Sequence, residues 1–418
     1  MSSRIKGLDP AAVVILAGVS AALHVGKLPP ALPVLREALG ITLVQAGFLL
    51  SLVQLAGMTL GLAVGLAADG LGLKRSMLTG LLILFGAGAL GACAQNATNL
   101  LALRALEGLG FLLAAMPAPS LIRQLVAPAR MNVMLGLWGA YMPLGTAAAL
   151  LCGPWVIALA DWQAWWWALA TLTLLMALWL WRAVPPDARP SAAASPAPGD
   201  RWPQRLRQTL ASPGPWLVAF TFAMYSGQWL AVIGFLPSVY AQAGLSGGLA
   251  GLLTALAAAV NMGGNIASGR LLQRGWQPQA LLCTGFAVMG LGALLAFANW
   301  GGLAGAGLPP VLRYLAVLLF SLVGGMIPGT LFSLAVSLAP SERTVSTTVG
   351  WIQQWSALGQ FAGPPVVAWA ASAAGGWQWT WVATGACSAT GIVLAAAIGR
   401  LLKHRALLLV GRGSPAAR

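Results

Sequence analysis

Long apolar runs recur along this sequence at a length that matches the thickness of a lipid bilayer. They fall at 10–33, 43–68, 77–95, 99–124, 131–158, 162–183, 214–240, 246–271, 278–298, 310–338, 344–372 and 377–400. About 20 apolar residues in a helix cross about 30 Å of hydrocarbon. In lipid every backbone amide must find its partner within the chain, which leaves helices and closed barrels as the spanning structures. Runs this long predict an all-α membrane protein with twelve transmembrane helices. Hydrophobic residues make up 59% of the 418 and charged residues 7%, against about 25% charged in soluble domains.

The basic residues orient the helices. With the N-terminus inside, 19 of the 23 lysines and arginines, Lys74 and Arg75 among them, fall in cytoplasmic segments, as the positive-inside rule requires. Arg36 falls in an outside loop, and Lys27, Arg104 and Arg313 lie within the spans. The net charge of +15 is thereby accounted for without nucleic acid. The four cysteines lie far apart within apolar runs, so neither a disulfide framework nor a metal site is expected. No small-residue cleavage site follows the first apolar run, which is therefore read as a retained helix. No Walker sequence appears, so nothing points to ATP as the direct driver.

The longest polar interruption, Val184 to Ser212, is rich in Pro, Ser and Ala and then basic. It divides the chain into an N-terminal six-helix bundle (1–183), a cytoplasmic linker (184–212) and a C-terminal six-helix bundle with a tail (213–418). The halves echo one another. Pro33 and Gly40 are spaced like Pro237 and Gly244, 204 residues on, and Gly65 maps by the same step onto Gly269. In span five Gly136 and Gly145 are nine apart, as are Gly350 and Gly359 in span eleven. Two related halves predict alternating access to a midplane site.

Between spans two and three runs Gly65-Leu-Ala-Ala-Asp69-Gly-Leu-Gly72-Leu-Lys74-Arg75. It resembles the signature loop of the major facilitator superfamily, although Gly70 and Leu73 stand where that pattern usually has basic residues. Arg104-Ala-Leu-Glu107-Gly108-Leu-Gly110 in span four is similar to the superfamily's Arg-x-x-Gln-Gly-x-Gly, with Glu for the commoner Gln. Gly153-Pro154 and its echo Gly363-Pro364 are a looser match. GKLPPALPVLREALG followed by QAGFLLSLVQLAG resembles the branch named for cyanate and nitroimidazole transporters. The resemblance implies two pseudo-symmetric six-helix bundles, with helices one, four, seven and ten lining a central cavity.

Charges at membrane depth are costly and mark function by default. Lys27 lies 17 residues past Pro10, roughly 25 Å at 1.5 Å per residue. It, Arg104 and Arg313 all fall in the outer third of the membrane. They are candidates for a positive lining that attracts an anion. Lys27 has the alternative of snorkelling to headgroups, Arg104 of pairing with Glu107 on the same helix face, and Arg313 of anchoring at the interface. Pro29, Pro30 and Pro33 bend the first helix, and lipid tolerates freed carbonyls only beside protein or water. Tyr141, Gln228, Asn261, Gln354 and Trp351 are further substrate candidates, with interhelical glue as the plainer role. His24, Glu107, Asp69, Lys74 and Arg75 are candidates for coupling and gating. Asp69 is expected to meet a helix N-terminus.

These features predict a secondary transporter in a bacterial inner membrane, both termini cytoplasmic. Its substrate would be a small anionic or polar organic solute, and any coupling would be to protons. Membrane lipid is the expected surrounding, no cofactor is expected, and a monomer suffices. A drug exporter is the alternative; a membrane-embedded enzyme or receptor is the alternative of another class.

Overall fold

A computed structural model describes residues 9–127, 130, 134, 137–138, 141–187, 202–245, 247–299 and 308–412; the side chains at 64–71, 343, 346, 406 and 408–412 are outside the description. Asp69 is among these, so its expected contact lies outside the described residues, as does the Gly136 member of the span-five pair. Eleven described helices are long and apolar enough to cross a membrane. They are Pro10–Leu39, Leu43–Ala63, Leu73–Ala92, Ala97–Leu125, Tyr141–Leu159, Trp162–Ala183, Pro213–Gln242, Gly247–Gln273, Pro278–Phe297, Pro310–Ser337 and Trp377–Arg405. Between the last two lies Val345–Ala373, a helix of 29 residues, at the place of span eleven. The fold is all-α.

Local sequence explains where the helices begin. Asp9 accepts from the amide of Ala11 at 3.0 Å and Pro10 follows at the first helical position, where proline's missing N–H costs nothing. Spans two, four and six each start on a side-chain cap. Thr42 and Gln45 form a capping box, Asn96 accepts from Asn99 N at 2.9 Å, and Asp161 accepts from Ala164 N at 2.5 Å. Each such cap contributes about 1 kcal/mol.

Span one departs from expectation. One helix, Pro10–Gly26, stops at Lys27 and a second, Leu28–Leu39, starts there. Pro29 and Pro30 therefore open a helix instead of merely bending one, because proline's lost amide matters least in a first turn. Arg36, expected in a loop, sits in the last turn of this helix. Gly40 closes it at φ 62°, and Gly244 follows span seven at φ 80°. The two glycines related by the 204-residue step thus adopt the same left-handed conformation, which other residues take up at a cost.

The chain forms two compact units, which cut spans seven, eight and eleven in mid-helix. The first comprises residues 1–199 with 229–259 and 360–377. In it span three packs on spans four and six, span one on five and six, and span five on Gly247–Ala259. Its apolar core includes Val13, Ala17, Met77, Leu81, Phe111 and Leu180. The second unit comprises 200–228, 260–359 and 378–418. There span nine packs on spans ten and twelve, and the second part of span eight packs on the second part of span ten.

Candidate functional site

The break at Lys27 organises a buried polar cluster in the first unit. Lys27 is 0% exposed, which removes the snorkelling alternative. Its Nζ donates to Glu107 Oε1 and lies 3.5 Å from His24 Nδ1. It also stands 4.6 Å above the ring of Trp166, a favourable site for a cation. His24 precedes Lys27 by one helical turn and Glu107 follows Arg104 by one, so spacing accounts for these two local contacts, while the Lys27–Glu107 pair comes from helix packing.

Arg104, 2% exposed, holds the break together. Its Nη1 donates to Glu107 Oε2 at 2.7 Å and to His24 O at 2.5 Å. Its Nη2 reaches Val25 O at 3.4 Å. Pro29 has no amide to offer Val25 O four residues back, and the guanidinium supplies the donor instead. Its Nε donates to Leu49 O at 3.1 Å, just before the 3-10 turn Leu52–Gln54 in span two. One planar fork thus satisfies carbonyls at irregularities in two helices. Gly108 permits the approach, because a Cβ there would lie 2.6 Å from Val53 O.

The third corner lies in span six. Thr173 donates its hydroxyl proton to Leu169 O at 2.8 Å, so it accepts from His24 Nε2, also at 2.8 Å. That assigns the ring proton to Nε2 and leaves Nδ1 facing the Lys27 ammonium. Ser20 Oγ lies 3.2 Å from the same hydroxyl. The indole of Trp165 donates to Lys27 O at 3.1 Å.

Lys27 and Arg104 therefore point among spans one, three, four and six, toward the interior of their bundle. They are not an open positive lining, as the cavity reading of the sequence expected. A carboxylate shared by two cations lowers the cost of burying all three groups, which water or lipid alone would not do. Two cations against one carboxylate still leave an excess of one positive charge. Beside Arg104 and Glu107 a cavity of 10 Å³, bordered by Leu49, Gly91, Leu103 and Trp166, has room for about one water-sized group and none for an organic solute.

The other candidates lie elsewhere. Tyr141 stacks on Trp138 with centroids 4.0 Å apart and packs against the apolar core. At the opposite end of span three, Lys74 Nζ donates to Trp181 O at 2.7 Å and to Val184 O, carbonyls at the end of span six. The amides of Lys74 and Arg75 donate to the carboxylate of Asp187 at 2.8 and 3.0 Å. The start of the linker thus caps span three, a role that nothing near Asp187 in the sequence suggested.

In the second unit Asn261 is 7% exposed. It donates to Ser321 O at 2.8 Å and exchanges hydrogen bonds with Tyr225, tying three spans. Asn265 donates to Asn261 Oδ1 at 3.2 Å. Gln228 accepts from Ser388 Oγ at 3.0 Å and donates to Met224 O at 3.1 Å. Arg313, half-buried, donates to Leu308 O at 3.2 Å, before its own helix begins. Trp351 packs edge-on against Trp216 and Trp355, and Gln354 is half-buried. Thr173, Ser20, Trp165 and Trp166 were missed as cluster members. The two hydroxyls in the apolar run of span six, Thr171 and Thr173, were the available signal for Thr173.

The profile of the Major Facilitator Superfamily matches residues 13–364. The cyanate transport protein CynX of Escherichia coli (strain K12) is 26% identical over 248 residues, 58% of this chain and 62% of that protein. The chain thus matches less than two thirds of the curated relative's length. Among solved structures, a bacterial homologue of the human lysosomal transporter Spinster, inward-facing and occupied, superposes with TM-score 0.79 at 16% identity. That match covers 93% of this chain and 96% of the other. A D-xylose–proton symporter gives TM-score 0.72 at 16% identity over the same shares. These likenesses carry the fold, and the profile carries the family: the chain is a multi-pass membrane protein of the Major Facilitator Superfamily.

Proposed function

We propose that the protein is a secondary active transporter that carries a small anion, or a polar organic solute, together with protons across a bacterial inner membrane. Its two six-helix halves alternate access, both termini lie on the cytoplasmic side, and a monomer performs the cycle. The observation that carries this reading is the unbalanced positive charge of the Lys27–Arg104–Glu107 cluster. A charge in a medium of effective dielectric about 20 acts on another at roughly 10 Å with about 1.7 kcal/mol. The cluster therefore favours an anion in its neighbourhood without touching it.

Glu107 links the anion to the proton. Protonating its carboxylate raises the cluster's excess charge by one and strengthens the pull on an anion. By reciprocity the bound anion raises the carboxylate's affinity for a proton by the same factor. A coupling of this sign favours loading the two together and releasing them together, as symport requires. Cyanate, named in the relative described above, is a small monoanion of the class this reading requires.

Protein reconstituted in liposomes tests the reading. Labelled cyanate and a panel of small organic anions should accumulate when the proton gradient points inward, and the gradient should collapse as they enter. The transported anion, at about 100 times its dissociation constant, should stabilise the protein by about 2.7 kcal/mol. Accumulation of neutral or cationic drugs alone would overturn the proposal.

A further inference from the structure

We infer that the helix Trp202–Leu210, at the end of the linker, is a docking site for an anionic phospholipid. Trp202, Leu206 and Leu210 recur at every fourth residue and share one face. With Pro203, Arg207 and Ala211 they line an open groove of 520 Å³. Trp202 is 54% exposed and Arg207 is exposed on the same groove. An amphipathic segment with an aromatic and leucines on one face and arginine beside them suits the boundary of headgroups and acyl chains.

Chain connectivity holds the helix at that boundary. Only Ala211 and Ser212 separate it from Pro213, where span seven begins. The indole of Trp216, in the first turn of that span, donates to Leu210 O at 2.9 Å. A second guanidinium stands at the same level. Arg405 donates to Ser337 O at 3.2 Å, at the end of span ten, and a Cβ on Gly214 would lie 3.7 Å from its Nη2. An apolar groove bordered by arginine at a membrane surface matches a lipid with an acyl chain and a negative phosphate. A zwitterionic lipid offers the chain without the net charge, and free phosphate offers the charge without the chain.

The test titrates the purified full-length protein in neutral detergent with phosphatidylglycerol, phosphatidylcholine or inorganic phosphate and follows its melting temperature. Phosphatidylglycerol should raise it saturably, and the other two should not. Arg207→Gln should raise the half-saturating concentration of phosphatidylglycerol about fivefold, the effect of one basic residue at an anionic surface. Arg207→Lys should retain the response, because the charge survives, and Leu206→Ser should weaken it through the groove. Equal responses to the two lipids, an unchanged half-saturation in Arg207→Gln, or a phosphate response that matches the lipid's would each overturn the inference. The last would mean a free-phosphate site, and the first a surface that reads acyl chains only.

Discussion

Lys27 in span one and Glu107 in span four, 80 residues apart, form a hydrogen-bonded ion pair whose side chains are 0% and 3% exposed. Arg104 shares the same carboxylate. The order in which these three charges can be removed follows from their sum.

Glu107→Gln leaves two buried cations facing each other, and breaking a buried pair in this way costs about 3–5 kcal/mol. Lys27→Met leaves the neutral Arg104–Glu107 pair and should cost distinctly less. The double variant Lys27→Met/Glu107→Gln should recover part of the loss of Glu107→Gln alone. Thermal unfolding in detergent reads all three. Equal destabilisation by the two single variants would show that the charges are not coupled.

Transport should respond to Lys27 through its field. Lys27→Gln removes the excess charge and should weaken anion affinity about tenfold, since about 1.4 kcal/mol is a factor of ten. Because the ammonium is fully buried against Glu107 and Trp166, the loss should be similar for anions of different shape. Affinity measured in proteoliposomes for two anions of unlike geometry decides this, and a loss confined to one anion would place Lys27 in direct contact with it.

Arg104 acts through the planar fork, so Arg104→Lys should not substitute for it. An ammonium cannot reach Leu49 O, His24 O and Glu107 together. Unsatisfied buried carbonyls cost about 1–3 kcal/mol, and the lysine variant should lose at least that. A melting temperature equal to that of the unaltered protein would refute the bridging role.

Asp187→Ala should remove the cap from span three at a cost of about 0.5–2 kcal/mol. Hydrogen exchange should accelerate at the amides of Lys74 and Arg75 and stay unchanged at the start of span four, which Asn96 caps. Uniform exchange across both helix starts would count against the assignment.

The proposed orientation can be read with a native side chain. Cys93 is exposed just after span three, at the end opposite Lys74. With the other three cysteines replaced, a membrane-impermeant thiol reagent should label it in whole cells. A cysteine at Ala194 in a protein without native cysteines should label only after permeabilisation. Labelling at Ala194 in intact cells would reverse the topology.

Much of this was legible in the sequence because it depends on neighbours along the chain. Apolar runs of bilayer length mark the spans, since backbone amides in lipid must pair within a helix. The Arg104–Glu107 contact follows from one helical turn, and the step from Gly40 to Gly244 marks two helix ends of like conformation. The partner of Lys27 was not legible. Depth along the membrane can be counted in residues, but the direction in which a side chain points depends on how its helix is rotated, and packing against other helices sets that rotation. Span one turns Lys27 toward spans three, four and six because Glu107, the indole of Trp166 and the Thr173–His24 pair are there to receive the cluster. Asp187 is the same case: a linker residue becomes a helix cap only once tertiary structure brings it beside the amides of Lys74 and Arg75. The sequence by itself determined the spans, their number and the cost of burying these charges. Tertiary structure decided which groups meet that cost, because a carboxylate 80 residues away becomes a neighbour only after the helices have packed.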